Sequence, residues 1–503
     1  MHRALTISEI VHEIFSYLSE PGGRYLDAAH KHSVGHTTLA ALAVTCRTFV
    51  EPALAERWRK LRGLDSLISL FPRDVWETYD PNDLDFARFP SNDEWVRFES
   101  YTSRIREIKI SRGAFKAMVN VMATLSLKYH SNPSQYLFPN LQTLSWHSRC
   151  KTEFPFVHLF FPPLLRCLTL GFEGDDTMAS RLLLLFNHQC PMLTQLRLSG
   201  TVSITHTPAV SRAQLISLQC GQIDTSALKY LANSATLKNL SVYLSDPSSI
   251  CVVPEGGFAN LQTLSLTAGD TSAVVSFLLP TQLSLKSIKV RIIFHESQPL
   301  LALPLQQLFS RLSTGLCHTR LTQIHLLRSD TCPQDGSLDI AALRPLFSFS
   351  KLRYVRIGGL CLFGLSDEAL AELADAWPHL EELMLNRRSG WRRTSEITFK
   401  NLKSLIRACP LLQTLALAID ATQLNVASST TPGEDIHNDN IETLNLEDSI
   451  IGDPPAVALI LCDLFWSLKK VVASPRSTVH AQLWGEVNSR LLAVQTAKEE
   501  VRR

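Results

Sequence analysis

The sequence predicts an α/β solenoid, with parallel strands lining one side and helices the other, led by a small all-α unit. Three observations carry that expectation. The string FANLQTLSL at 258–266 places Leu261, Leu264 and Leu266 in the spacing L-x-x-L-x-L. The same spacing returns many times along the chain. Between recurrences, helix-like stretches with their own apolar faces fill the gap. Within each string the last two apolar residues flank a polar one, so they point into a core while the residue between them faces out.

The ladder can be followed in order. Its triplets begin at Ile105/Ile108/Ile110, Leu141/Leu144/Trp146, Leu165/Leu168/Leu170, Leu193/Leu196/Leu198 and Leu215/Leu218/Cys220. Leu237/Leu240/Val242, Leu261/Leu264/Leu266, Leu285/Ile288/Val290, Leu321/Ile324/Leu326 and Leu352/Val355/Ile357 come next. Leu380/Leu383/Leu385, Leu412/Leu415/Leu417, Ile441/Leu444/Leu446 and a weaker Leu468/Val471/Ala473 close it. One such triplet means little, because leucine is common. About fourteen, roughly 22 to 36 residues apart, define a leucine-rich repeat. Intervals near 28 residues leave room for a strand, two turns and a helix. Ser366 before DEALAELADAW and Asp224 before TSALKYLANS supply helix caps, and Pro191, Pro378 and Pro410 stop helices before the next strand. Neither apolar face of a repeat can be buried alone, so the repeats must stack into a horseshoe with strands inside and helices outside.

Ahead of the ladder lie three amphipathic stretches. Thr6 to Leu18 carries Ile7, Ile10, Val11, Ile14, Phe15 and Leu18 at helical spacing, with Thr6 and Glu9 as a capping-box pair. A polar loop is expected to about Gly35, then a helix from about Thr37 to Cys46. A third helix is expected to open with Pro52 in its first turn and to line its inner face with Leu54, Trp58, Leu61 and Leu64. Residues 65–90, with Pro72, Pro81 and Pro90 among acids, read as an irregular connector. Ser91 and Glu94 then open a helix bearing Trp95, Phe98 and Tyr101.

The strings TISEIVHEIFSYL and LAALAVTCRTFVEPALAERWRKL resemble an F-box. NDEWVRFESYTSRIREIKI resembles the segment just past the F-box in fungal F-box proteins with leucine-rich repeats. The family's opening Leu-Pro aligns here with Thr6 and Ile7, and the loop Ser19 to Gly35 is longer than usual. The resemblance implies docking on the Skp adaptor of an SCF-type ubiquitin ligase, and through it a cullin-RING ligase. It assigns the contact to Ile7, Ile10, Ile14, Phe15, Leu18, Leu39, Val44, Cys46, Phe49 and Trp58. The other reading of these helices is a cap on the end of the solenoid, in a scaffold or inhibitor that never meets the adaptor.

The division expected is 1–64 for the helical unit, 65–104 for a connector with one helix, 105–473 for the repeats, and 474–503 for a closing helix and tail. Outward strand positions would build the inner face, and Arg197, Lys289, Tyr354 and Arg356 are its candidates for holding a target protein. The loop NRRSGWRR adds Arg387, Arg388, Trp391 and Arg392, which suit an acidic or phosphorylated segment through bidentate hydrogen bonds. A nuclear-localisation or nucleic-acid patch, or a solvated basic loop, explains the same string.

Composition narrows the function classes. With 45% hydrophobic and 19% charged residues and a net charge of +2, the chain lacks the basic excess of a non-specific nucleic-acid binder. Eleven cysteines, none in a C-x-x-C pair, fit a reducing compartment, with Cys190, Cys409 and Cys462 at core-like positions. Glu9 and Glu13 break any signal-peptide-like run and no apolar segment reaches spanning length, so a cytoplasmic or nuclear protein without membrane contact is expected. His30, His32 and His36 lie close together, but no fourth ligand accompanies them and no metal is expected. There is no P-loop, G-x-G-x-x-G, G-x-S-x-G or H-E-x-x-H, so neither enzymatic activity nor a cofactor is expected.

Overall fold

The computed structural model describes residues 7–19, 28–80, 83–110, 118–130, 135–148, 154–172, 185, 188–199, 214–244, 254, 256–278, 282–293, 302–328, 337–359, 362–386, 391, 395–424, 436–475 and 477–502. The chain divides into two compact units, Met1–Ala227 and Leu228–Arg503, with the division falling in the helix Thr225–Ala232. No helix among the described residues is long and apolar enough to cross a membrane.

The first unit opens with three helices, α1 (Ser8–Ser19), α2 (Ala28–Ala43) and α3 (Arg47–Trp58). Two of the expected boundaries move. The polar loop is shorter than expected, because α2 begins at Ala28 and runs through Gly35. There α2 comes so close to α1 that a Cβ on Gly35 would collide with the Leu18 carbonyl oxygen. α3 begins at Arg47 and ends at Trp58, which puts Pro52 inside the helix. Leu61 therefore belongs to a strand, Lys60–Arg62, paired in parallel with Glu107–Ile110. This strand heads the ladder one rung earlier than the leucine spacing shows, because three residues carry too little pattern to be recognised.

The stretch expected to be an irregular connector is built around aromatic rings. A hairpin of Trp76–Asp80 and Asp83–Phe86 precedes the helix Asn92–Thr102. Phe71 stacks on Phe98 at 4.9 Å and meets Trp95 edge-on at 5.2 Å. The Ser91–Glu94 capping box forms as the spacing predicts, with Ser91 N–H donating to Glu94 Oε2 at 2.7 Å.

Beyond this helix, the first unit stacks Glu107–Ile110, Thr143–Ser148, Cys167–Phe172, Gln195–Ser199 and Ser217–Gln222 as parallel strands in register. The second unit stacks Asn239–Leu244, Thr263–Ala268, Ser287–Ile292, Gln323–Arg328, Tyr354–Gly358, Glu382–Leu385, Thr414–Ala416, Thr443–Glu447 and Lys470–Ala473, again in parallel. Each of these strands falls on one of the predicted triplets. Leu264 pairs with Leu240 and Ile288, and Leu266 with Val242 and Val290, so like positions lie side by side. The ladder residues are buried except Ala473, and each large one contributes about 1.5–3 kcal/mol only because a neighbouring repeat covers it.

Helices return the chain between strands. Ser366 caps Asp367–Ala376 through the Ala369 N–H, and Asp224 Oδ1 accepts from Ala227 N–H at 2.6 Å. The last strand is sealed by the closing helix Thr478–Arg502. Asn488 accepts from Val471 N–H at 2.8 Å and donates to Val471 C=O at 2.9 Å, and Trp484 Nε1–H donates to Ser449 C=O at 3.0 Å. A side-chain amide thus occupies a backbone edge that would otherwise offer itself to another strand.

Candidate functional site

Two surfaces gather residues with something left to bind. The first is on α1. Its positions Val11 and Phe15 are buried with Leu39, Phe49 and Ala53, and Leu18, Leu42, Ala43 and Cys46 pack against that cluster. Phe15 and Phe49 meet edge-to-face at 5.4 Å. A second apolar stripe, on the same helix and on Ile7 just ahead of it, stays in solvent: Ile7 is 46% exposed, Ile10 38%, Ile14 44% and Tyr17 72%. Their steps of three and four residues keep them on one side of α1. Val44, in the turn after α2, is 86% exposed.

This division corrects the sequence-based contact set. Phe15, Leu39, Phe49 and Trp58 are core residues that hold the three helices and their neighbours together. Trp58 packs at 5.0 Å against Tyr101, and Leu18 and Cys46 are partly buried in the helical cluster. Ile7, Ile10, Ile14 and Val44 remain available to a partner. Tyr17 belongs with them and was missed, because a single tyrosine among polar residues reads as surface until the stripe is seen.

The second surface is the outward face of the strands in the second unit. Register places Lys289, His325 and Arg356 side by side on neighbouring strands, with Ser265 before them and Met384 after. Arg291 stands two residues along from Lys289 and is exposed. It was missed because the leucine template ends at Val290, whereas the strand continues to Ile292; the alternation K-V-R-I is the signal that could have found it.

Neighbouring acids organise part of this row. Arg356 pairs with Glu382 through Nε and through Nη2, the latter at 2.7 Å. Arg353 Nε donates to Glu381 Oε1 at 2.7 Å, and Tyr354 Oη–H donates to Glu381 Oε2 at 2.5 Å. Burial opposes ionisation of Glu381, but the hydrogen bonds from Tyr354 and Arg353 outweigh it and its pKa falls. Tyr354 is raised, chiefly by that same hydrogen bond. Lys289 is lowered by burial and by the like charges of Arg291 and Arg356. His325 is lowered by burial, with Arg356 and Lys289 acting the same way and Glu382 opposing.

The face closes toward the carboxyl-terminal repeats. Glu382, Met384, Ala416, Asn445 and Glu447 are buried at positions that the earlier strands leave outward, and Thr443–Glu447 shifts register between Asn445 and Glu447. Trp391, expected at the centre of a basic binding loop, is fully buried. Its backbone N–H donates to Asp448 Oδ1 at 2.7 Å and its indole N–H to Leu385 C=O at 3.2 Å. The tryptophan is therefore an anchor in the core and offers no ring to a partner. Arg387, Arg388 and Arg392 lie outside the described residues. Arg197 is exposed on its strand in the first unit, in register with Thr169 and Gln219, whereas Lys289, Tyr354 and Arg356 belong to the second unit.

Elsewhere, Cys190 and Cys409 are buried as expected, with thiols pushed up to about 12 by burial, while Cys462 is only partly covered. The His30 and His32 side chains lie outside the description, and the described residues hold no cluster of histidine, cysteine, aspartate and glutamate able to bind a metal. A depression between the helices Thr271–Leu278 and Ala302–Gly315 is lined by Val275, Gln306, Gln307, Ser310, Arg311 and Thr314, a set with no acid–base pair.

No protein-family model and no curated protein sequence matches the chain. Among solved structures, an internalin (inlF) from Listeria monocytogenes str. 4b F2365 is similar at 15% identity and TM-score 0.32, over 68% of this chain and 82% of its own. The Rad7 and Elc1 complex in yeast is similar at 14% identity and TM-score 0.34, over 94% of this chain and 90% of that one. Neither likeness bears on what this chain binds.

Proposed function

We propose that the chain is a substrate receptor of an SCF-type ubiquitin ligase, without catalytic activity or cofactor of its own. The amino-terminal helices hold a Skp-type adaptor, and through it a cullin-RING ligase, while the strand face holds a target protein. The mechanism is proximity: a target held near the charged transferase is present at high effective concentration. Such a receptor works in the cytoplasm or nucleus.

The observation that carries the reading is the double face of α1. One apolar stripe is spent on the chain's own core, and Ile7, Ile10, Ile14 and Tyr17 are left in solvent on the other. An end cap needs only the first stripe. A stripe of large apolar side chains left over on a short helix suits a partner of complementary apolar surface, and the F-box-like sequence supplies the identity of that partner. Co-expression with a Skp-type adaptor tests it: a stable complex through α1 supports the receptor, and a chain that never retains the adaptor is a solenoid scaffold whose helices only cap it.

A further inference from the structure

Within the second unit, acids and bases are unevenly distributed over the strand face. Three outward positions on each of five consecutive strands are Asn239, Ser241, Tyr243; Thr263, Ser265, Thr267; Ser287, Lys289, Arg291; Gln323, His325, Leu327; and Tyr354, Arg356, Gly358. None is an aspartate or a glutamate, although the chain carries 47 acids against 49 lysines and arginines. Lys289, His325 and Arg356 share one register line, so they stand about 4.8 Å apart per strand and span roughly 10 Å. No carboxylate among the described residues pairs with Lys289 or Arg291. Among the described residues Glu382 is the acid that meets the row; it is buried and already held by Arg356, whose Nη1 stays outside that pair.

Like charges gathered on a half-buried face with Glu382, held by Arg356, as their one acid among the described residues repel one another, and an arriving anion relieves that repulsion at several groups at once. Neutral donors flank the row: the hydroxyls of Ser265 and Thr267 and the amide of Gln323. Beyond Arg356 the face is closed by buried side chains, which limits the length of anything lying across it.

We infer that Lys289, Arg291, His325 and Arg356 form the seat for an acidic segment of a target protein, a run of two or more carboxylate or phosphate side chains lying across three strands. The inference deepens the receptor reading by naming the chemistry of its target. A nucleic acid suits the face less well, because the chain has nearly balanced charge and the cationic row is only about three strands wide.

The test uses the full chain and fluorescence anisotropy with three labelled peptides of one length: a neutral Gly/Ser/Gln peptide, the same peptide with four glutamates, and one with two phosphoserines. Both anionic peptides, or the phosphorylated one alone, should bind above the neutral one, and that comparison tells carboxylate from phosphate recognition. The double variant Lys289→Glu/Arg291→Glu should weaken binding about 30-fold or more. The equally charged control Lys229→Glu/Lys400→Glu, at exposed positions on the helices Thr225–Ala232 and Phe399–Ala408, should change it less than about threefold. If the reversal unfolds the chain, Lys289→Gln replaces it, with a loss of about fivefold expected.

Equal losses in both double variants, absence of preference for either anionic peptide, or tighter binding of a single-stranded oligonucleotide at the same residues would overturn the inference. Adaptor co-purification is measured on the same preparations. Peptides that fail to bind a chain still holding the adaptor end this inference alone, whereas peptide binding by a chain that never holds the adaptor ends the ligase reading alone.

Discussion

Replacing Ile10 and Ile14 by alanine should separate docking from folding on a single helix. The two side chains are 38% and 44% exposed, so a partner that covers them buries about four fifths of one isoleucine's worth of surface. At about 1.5–3 kcal/mol for a fully buried isoleucine, that remainder is worth ~1.2–2.5 kcal/mol. Each 1.4 kcal/mol is tenfold, so adaptor affinity should fall about 7- to 60-fold. The melting temperature should hardly move, because atoms already in solvent contribute little to the folded state. Phe15→Ala makes the contrast: it empties a packed site against Phe49 and should cost about 3–5 kcal/mol of stability. The assay is surface-immobilised adaptor titrated with purified chain, with thermal melts run on each variant. Ile10→Ala/Ile14→Ala binding the adaptor like the parent chain, or melting as low as Phe15→Ala, would refute the assignment of two separate stripes.

Three further outcomes concern the site and the sealed edge. Trp391→Ala removes a fully buried ring and its indole hydrogen bond to Leu385 C=O, so chemical denaturation should show a loss of about 3–5 kcal/mol; a loss under about 1 kcal/mol would return Trp391 to the surface. Asn488→Ala leaves the Val471 N–H and C=O without their side-chain partner and should cost about 1–3 kcal/mol, with faster amide exchange at Val471 as the direct readout. His325 has a folded pKa below its ordinary value of 6.5, so the unfolded chain binds the extra proton first. Its contribution to stability is complete above that ordinary value and is lost as pH falls through it toward the depressed folded value. His325→Asn should flatten this part of the stability–pH curve measured in urea, and an unchanged slope would remove His325 from the account.

Sequence alone determined the repeat. Leucine spacing is a local signal with a single physical meaning, because side chains two apart on a strand share a face, and each of the predicted triplets became a parallel strand. Helix caps such as Ser366 and the Ser91–Glu94 box were equally legible, since a cap concerns one turn of chain. Burial that depends on distant residues was not legible. The apolar positions of α1 look alike in one dimension, and only packing against Leu39 and Phe49 decided that Val11 and Phe15 go inside while Ile10 and Ile14 stay out. Trp391 sits among arginines and reads as a surface ring until Asp448, far along the chain, accepts its N–H. Lys289, His325 and Arg356 are more than thirty residues apart in sequence, and it took parallel register to make them neighbours. Tertiary structure decided these points because which face a residue shows, and whose charge it feels, depend on elements that no local pattern contains.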